Sequence, residues 1–200
     1  MRSAWGGGII LVLVMLMFAS CGPADDDADI YTPKPQAYFR IDLPKRIYSR
    51  YTASCPYSFE FPNNAAVSVD SSRKAEPCWV NIDYPTLRAR IYLSYKNVDG
   101  KDAIKKLLED TRSLVYKHTV KADDIGEKAF VDDTKKVYGN MYEIGGNAAS
   151  NVQFFVTDST RHFLRGALYF NCPPNADSLA PVISYIKEDV VKIMETMEWK

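Results

Sequence analysis

Alternating apolar and polar residues mark much of this chain as β-strand. Residues 79–84 and 88–95 both alternate in this way, which buries one face of a strand and leaves the other face polar. The pattern predicts strands at residues 58–61, 67–70, 79–84, 88–95, 129–132, 137–144, 152–157 and 163–170. Turn-forming residues at 62–64, 85–86 and 158–161 join consecutive strands, so antiparallel hairpins are expected.

Two stretches place apolar residues at helical spacing instead. Asp99 is a candidate cap for the first helix, which runs to about His118 and has on one face Ile104, Leu107, Leu108, Leu114 and Val115. Asp177 or Ser178 caps the second helix, with Pro181 in its first turn and an apolar face made of Leu179, Val182, Ile183, Ile186, Val190, Ile193, Met194 and Met197. Both helices need the same sheet. The sequence therefore predicts an α+β protein with an antiparallel sheet and two principal helices packed on it. This order of elements resembles the PsbP-like arrangement, a comparison that rests on analogy alone.

The N-terminus has the features of an export signal. A positive start at Arg2 precedes an apolar run at residues 8–18, which is shorter than the about 20 residues that a membrane-spanning helix needs. The run ends at residues 18–21, Phe-Ala-Ser-Cys, which resemble the lipobox of bacterial lipoproteins. We expect a signal peptide at residues 1–20 and lipid on Cys21, which would anchor the protein in a membrane. An ordinary secretory signal with a chance cysteine is the alternative.

The anchored chain then continues through a tether into one domain. Residues 21–37 are acidic and rich in proline, so we expect them to form a lipidated flexible tether, followed by a single globular domain at residues 38–200. Gly22 follows the cysteine, so the aspartate that retains enterobacterial lipoproteins in the inner membrane is absent, which favours the outer membrane with the leaflet undecided. The acidic residues 25–29 resemble surface-export signals of Bacteroidetes lipoproteins, or form a solvated linker.

The charge balance and the cysteine content limit which kinds of partner, disulfide and metal site are expected. The 25 basic residues balance 25 acidic residues, so nothing favours nucleic acid, and any partner is recognised locally. Lipidation of Cys21 leaves Cys55, Cys78 and Cys172 in an oxidising compartment, and the simplest pairing is a Cys55–Cys78 disulfide with Cys172 left over. Without a Cys-x-x-Cys motif or paired histidines, we expect no metal site and no cofactor.

Catalysis is not expected. The two histidines, His118 and His162, are the available imidazole bases. Residues 158–162, Asp-Ser-Thr-Arg-His, contain triad residue types, but they crowd into one probable hairpin turn where a relay geometry is difficult. His118 ends the first helix, where a cation interacts favourably with the helix dipole. We therefore expect no enzyme.

Long runs of residues are similar to one known family. Residues 38–44, 77–83, 116–122, 150–170 and 198–200 resemble the gliding motility lipoprotein GldD family of the Bacteroidetes. The resemblance implies an accessory lipoprotein that supports assembly or stability of the gliding apparatus and its coupled type IX secretion system, through contacts with other envelope proteins and without established enzymatic activity. Two alternatives stand beside it: a ligand-binding lipoprotein with a pocket between helix and sheet, and an envelope hydrolase that uses His162 or His118.

Two segments concentrate the aromatic and arginine side chains that dominate protein interfaces. The first is the strip at residues 38–44, with Tyr38, Phe39 and Arg40, and the second is the hairpin around Arg161 and His162. We expect these five residues to bind envelope partners. The alternative for the apolar members of the strip is that they pack on the edge of their own domain.

Overall fold

The computed structural model describes residues 41–200, and these form two antiparallel sheets and two α-helices. The predicted signal peptide, Cys21, the tether and Tyr38, Phe39 and Arg40 lie outside the described residues. The strands are β1 (Tyr48–Thr52), β2 (Tyr57–Pro62), β3 (Ala66–Val69), β4 (Val80–Tyr84), β5 (Ala89–Asn97), β6 (Ile125–Asp132), β7 (Val137–Ile144), β8 (Val152–Thr157), β9 (His162–Phe170) and β10 (Glu198–Trp199). The helices are α1 (Lys101–Tyr116) and α2 (Ala176–Thr196). The predicted α+β class with two helices is confirmed.

The strands separate into a large and a small sheet. The large sheet has seven strands in the order β3-β4-β5-β9-β8-β7-β6, and the small sheet has three in the order β1-β2-β10. The large sheet is the one on which both helices pack, and the small sheet is additional to the sheet that was predicted. The turn at residues 62–64 does not close a hairpin, because it joins β2 of the small sheet to β3 of the large one.

The large sheet is covered on both faces. Alternate residues of β8 and β9 point to opposite sides, so Phe154 and Leu164 join one apolar cluster while Phe155 and Phe163 join another. The first cluster contains the buried side chains of α2 and of β2. The second contains Ile104 and Val115 of α1. The two helices thus pack against the same sheet from opposite faces.

The helix ends differ from those predicted. The N-cap of α1 is Gly100, at a φ of 89°, and no side chain caps this end, so the prediction of Asp99 is wrong. The N-cap of α2 is Asn175, whose side chain accepts a hydrogen bond from the backbone N–H of Ser178 at 3.2 Å. Because α2 begins earlier than predicted, Pro181 lies inside the helix and not in its first turn. Neither helix of the described chain is long and apolar enough to span a bilayer.

Candidate functional site

The turn between β8 and β9 is organised by one carboxylate. Oδ1 of Asp158 accepts hydrogen bonds from the backbone N–H groups of Thr160, Arg161 and His162, at 2.9, 2.8 and 2.8 Å. Partial burial alone would raise the pKa of Asp158, but these bonds and one from the Thr160 hydroxyl lower the pKa to about 2. The turn therefore keeps a fixed shape at neutral pH, with the side chain of Arg161 exposed to solvent.

His162 is not at the surface, where the partner-binding hypothesis requires it. Its side chain is 7% exposed, its Nδ1 lies 2.7 Å from the Tyr95 hydroxyl, and its ring stacks on Trp199 with centroids 5.2 Å apart. Burial lowers the pKa of His162, which favours the neutral ring. His162 starts β9, and this strand turns the imidazole inwards while the preceding Arg161 stays outside. Of the predicted pair, only Arg161 is available to a partner.

The predicted triad residue types do not assemble into a catalytic relay. The carboxylate of Asp158 binds the backbone of its own turn, and the ring of His162 bonds to Tyr95. His118 lies in the short 3₁₀ helix Lys117–Val120 after α1, where burial and the charge of Arg165 lower its pKa. The expected pairing of a His118 cation with the helix dipole is therefore disfavoured. Among residues 41–200, no group of three His, Cys, Asp or Glu side chains could hold a metal ion.

The described end of the predicted strip, residues 41–44, leads directly into a contact with α2. The Tyr185 hydroxyl donates to the carbonyl of Pro44 at 3.0 Å, and the Arg46 guanidinium lies 4.2 Å from the Tyr185 ring centroid. Arg46 also donates from Nε to Asp189 at 3.2 Å, and Tyr48 donates to the same carboxylate at 2.8 Å. The chain is thus fastened to its own domain just after the strip, although Ile41 and Leu43 stay more than one-third exposed.

Pro44, the last residue of the strip, and the β8–β9 turn contact different parts of the C-terminal region. Pro44 is bound at Tyr185, in the first half of α2, whereas His162 stacks on Trp199, beyond the end of that helix. Tyr185 and Met197 alone are about 18 Å apart along a helix axis that rises 1.5 Å per residue.

The cysteines of the described chain pair as the sequence suggested. Cys55 and Cys78 form a disulfide with Cα atoms 5.5 Å apart, and Cys172 is free. The bridge ties the β1–β2 connection to the β3–β4 connection, and the Tyr57 hydroxyl of β2 also donates to the Cys78 carbonyl at 2.7 Å. The disulfide holds the two sheets together at this end.

One polar pair in the large sheet was missed by the sequence interpretation. Gln153 and Arg165 lie in the middle of the largely apolar strands β8 and β9, and Arg165 donates to Oε1 of Gln153 at 2.6 Å. Gln153 is fully buried and Arg165 is half-buried. The signal in the sequence was a charged and an amide side chain inside strands that otherwise read as buried. Their closeness in space depends on the register of β8 and β9, which the sequence does not give.

Comparisons with known proteins give a family and, among several solved structures that match, a distant structural likeness. The family model described as gliding motility lipoprotein GldD matches residues 28–199. Among solved structures, the solution structure of cyanobacterial PsbP (CyanoP) from Synechocystis sp. PCC 6803 is 10% identical in sequence, with a TM-score of 0.46 over 81% of this chain and 98% of that chain. A likeness of this size carries no argument about the present chain. No curated protein matches the sequence.

Proposed function

The chain belongs to the gliding motility lipoprotein GldD family, and from this membership we propose that it supports assembly or stability of the gliding motility and type IX secretion machinery through protein–protein contacts. The observation that carries the proposal is the extent of the family match, which covers residues 28–199. Membership supports a role in the gliding machinery and association with the envelope as a lipoprotein. The direct partners, other gliding or type IX secretion proteins, belong to the proposal.

Anchoring through Cys21 is part of the same proposal. The lipobox-like residues precede the matched region, and acyl chains on Cys21, palmitate among them, would hold the protein on the envelope, with the outer membrane favoured. Changing Cys21 to Ser should move the protein from the membrane to the soluble fraction. Failure of a radiolabelled fatty acid to enter the wild-type protein would contradict the anchor.

The geometry supports a protein-binding role better than the role of an enzyme or of a small-molecule carrier. A hydrolase needs a base beside a nucleophile and an orienting acid, but the ring of His162 is bonded to Tyr95 and the carboxylate of Asp158 holds the β8–β9 turn. A carrier needs an enclosed apolar cavity, whereas aromatic side chains such as Tyr57, Phe59 and Phe154 fill the space between the sheets and α2. Neither alternative is favoured by a specific feature of the described residues.

We place a partner contact at the exposed Arg161 and at the strip with Tyr38, Phe39 and Arg40. Arginine and tyrosine are enriched among the residues that dominate binding energy. His162 contributes indirectly in this proposal, because its packing on Trp199 holds the turn that presents Arg161. The proposal therefore separates a contacting residue from a supporting one.

The test compares variants of the chromosomal copy in cells. Changing Arg40 and Arg161 together to Ala should abolish gliding or secretion. Envelope proteins that co-purify with the wild type should no longer co-purify with this variant. The free energy of unfolding of the purified protein should change by no more than about 0.5 kcal/mol. Arg73→Ala, an exposed arginine elsewhere on the domain, is the matched control and should retain function. Intact gliding and secretion in the double variant would refute this contact surface.

A further inference from the structure

Strand β6 forms one edge of the large sheet, and this edge is uncovered within the described chain. The strand has eight residues, Ile125–Asp132, and pairs with β7 on one side. In an antiparallel pair, about half of the backbone N–H and C=O groups of a strand point to its neighbour, and the other half point away. Apart from this pairing, none of the backbone hydrogen bonds among residues 41–200 involves residues 125–132. The outward-pointing groups of β6 therefore have no partner among those residues.

The edge at β6 differs from the opposite edge of the sheet in its length. The opposite edge is β3, which has four residues, and a very short edge strand offers little for another chain to pair with. β6 is longer than the usual strand of about 5 to 6 residues and contains no proline. Most of its side chains are exposed, including Val131 at 65%. A long free edge of this kind is a template for a further strand.

A small apolar pocket lies beside this edge, between β6 and α2. Phe130 of β6 and Met141 of β7 line it from the sheet, and Val191 and Met194 line it from the helix. Its volume is about 150 Å³, well below the about 300 to 1,000 Å³ of sites for small-molecule ligands. The pocket therefore has the size for a single apolar side chain.

The pocket opens on the side to which an added strand would turn its side chains. Lys128 and Phe130 point to the face of the sheet that packs against α2, because Lys128 is paired with Met141, a member of the apolar cluster of that helix. A strand added beside β6 would send every second side chain to the same face. The side chain opposite Phe130 would then lie at the pocket. The edge and the pocket thus fit one ligand, an extended polypeptide whose backbone supplies affinity and whose apolar side chain supplies specificity.

The charges beside the pocket state which polypeptide fits. Lys128 of β6 and Glu195 of α2 complete the lining, and neither side chain takes part in an ion pair among residues 41–200. In an added antiparallel strand, the residue two positions after the one opposite Phe130 would lie opposite Lys128. Opposite charges directly across two strands stabilise the pairing, and like charges destabilise it. Charge complementarity therefore selects an acidic residue at this position, and Asp132 selects a basic one on the other side of the apolar residue.

We propose that β6 binds an extended segment of a partner protein as an eighth strand of the large sheet, and that one aliphatic side chain of this segment enters the pocket at Phe130 and Met194. The pairing is antiparallel, as it is throughout this sheet, and the residue opposite Lys128 is acidic. This site is separate from the contact proposed at Arg161. It goes beyond the role in gliding and does not rest on it, because the binding is measured on the purified protein.

The first experiment follows the backbone of the free edge. The ¹⁵N-labelled full-length protein in detergent micelles is titrated with the blocked peptide Thr-Lys-Val-Leu-Thr-Glu-Thr, which places Leu opposite Phe130 and Glu opposite Lys128. Amide hydrogen exchange at alternate residues of β6 should slow as the peptide saturates, because the outward-pointing N–H groups gain acceptors. Exchange in β3, at the other edge, should stay unchanged. Absence of protection in β6, or equal protection in β3, would overturn the proposal.

The pocket is tested by changing the peptide. A matched peptide with Ser in place of Leu keeps the backbone and both charges but leaves the pocket without an apolar side chain. It should bind about tenfold or more weakly, because burial of one Leu side chain contributes enough free energy for a change of that size. Equal affinity for the two peptides would overturn the proposal.

The charge selection is tested by a reversal on each side. Lys128→Glu, at an exposed position, should weaken binding of the Leu peptide about fivefold, and a peptide with Lys in place of Glu should recover the lost affinity. Lys121→Glu, at an exposed lysine outside the strands, is the matched control and should bind as the wild type does. Both variants should keep the melting temperature of the wild type. Unchanged affinity for the Leu peptide in Lys128→Glu would overturn the proposal.

A second copy of the chain is the competing occupant of this edge. In sedimentation experiments the peptide-free protein in micelles should be monomeric, both as the wild type and as Lys128→Glu. A wild-type dimer that dissociates when the peptide is added would assign the edge to a second copy, and would overturn a partner segment as the occupant.

Discussion

Replacing Asp189 with Ala removes the acceptor that joins α2 to the start of the described chain. The side chain of Asp189 is fully buried and accepts hydrogen bonds from Tyr48 at 2.8 Å, Arg46 at 3.2 Å and Tyr84 at 3.2 Å. Tyr84 is itself fully buried in the large sheet. One carboxylate thus connects β1, β4, α2 and the segment that precedes β1.

The expected loss can be worked out from these donors. Removing one partner of a buried charge pair costs about 3 to 5 kcal/mol, and orphaning a buried hydroxyl costs about 1 to 3 kcal/mol. Arg46 recovers part of this, because its side chain is 26% exposed and also pairs with Glu188 at 2.8 Å. We therefore expect Asp189→Ala to lower the free energy of unfolding by about 3 kcal/mol. For a domain of this size the melting temperature should fall by about 6 to 12 °C.

The pH dependence of this loss has a definite sign. Burial raises the pKa of Asp189, and the bonds from Tyr48, Arg46 and Tyr84 oppose that rise without reversing it. A carboxyl whose folded pKa lies above its unfolded value makes the folded state bind more protons, so its contribution to stability falls as the pH rises from about 4. The difference between the wild type and Asp189→Ala should therefore narrow as the pH rises through the folded pKa.

The assay is urea unfolding of the purified protein with its disulfide intact, followed by circular dichroism at several pH values. Glu188→Ala is the matched control, because Glu188 pairs with the same Arg46 but its side chain is 62% exposed, so its loss should cost no more than about 1 kcal/mol. The reasoning is refuted if the two variants lose equal stability, or if the loss in Asp189→Ala grows as the pH rises.

Three further predictions concern the β8–β9 turn, the disulfide and one glycine. Asp158→Ala should lower stability by about 1 kcal/mol at neutral pH, and this difference should disappear as the pH falls from about 4 through the folded pKa of about 2, in thermal unfolding at stepped pH. Changing Cys55 and Cys78 together to Ala should cost about 3 kcal/mol in urea unfolding, because the bridge closes a loop with a sequence separation of 23. Gly139→Ala should prevent normal expression or sharply lower the melting temperature, because its Cβ would lie 2.0 Å from a backbone oxygen of β8, whereas Gly126→Ala, with 3.9 Å of space, should be tolerated.

Elements with a strong local pattern could be predicted from the sequence. The bounds of β7 and β8 agree with the strands predicted at residues 137–144 and 152–157, and β9 differs from its predicted bounds by one residue. Such strands are flanked by turn-forming residues and carry their own apolar face, so neighbouring residues are enough to define them. Both helices were likewise predicted from apolar spacing. The caps predicted for them were wrong, because several polar residues precede each helix and the path of the chain decides which residue caps it.

Strands that depend on distant partners were missed. β10 has two residues, Glu198 and Trp199, and exists because they pair with Ser58 and Tyr57 at the other end of the chain. β1 pairs with β2 and leaves mostly exposed side chains, so it shows little alternation. The prediction for Leu114 was also wrong. It was expected on the buried apolar face of α1 but is 39% exposed, whereas the polar Thr111 of the same helix is buried.

By itself the sequence determined the α+β class, the cysteine pair and the family, because each depends on local spacing or on runs of residues read in order. The tertiary structure decided which polar residues are buried. His162 was expected at the surface, but its ring stacks on Trp199 near the C-terminus. Arg165 gave no special signal in the sequence, and only the pairing of β8 with β9 shows that Gln153 lies beside it. Burial of a polar side chain depends on elements far away in the chain, and no local pattern contains that information.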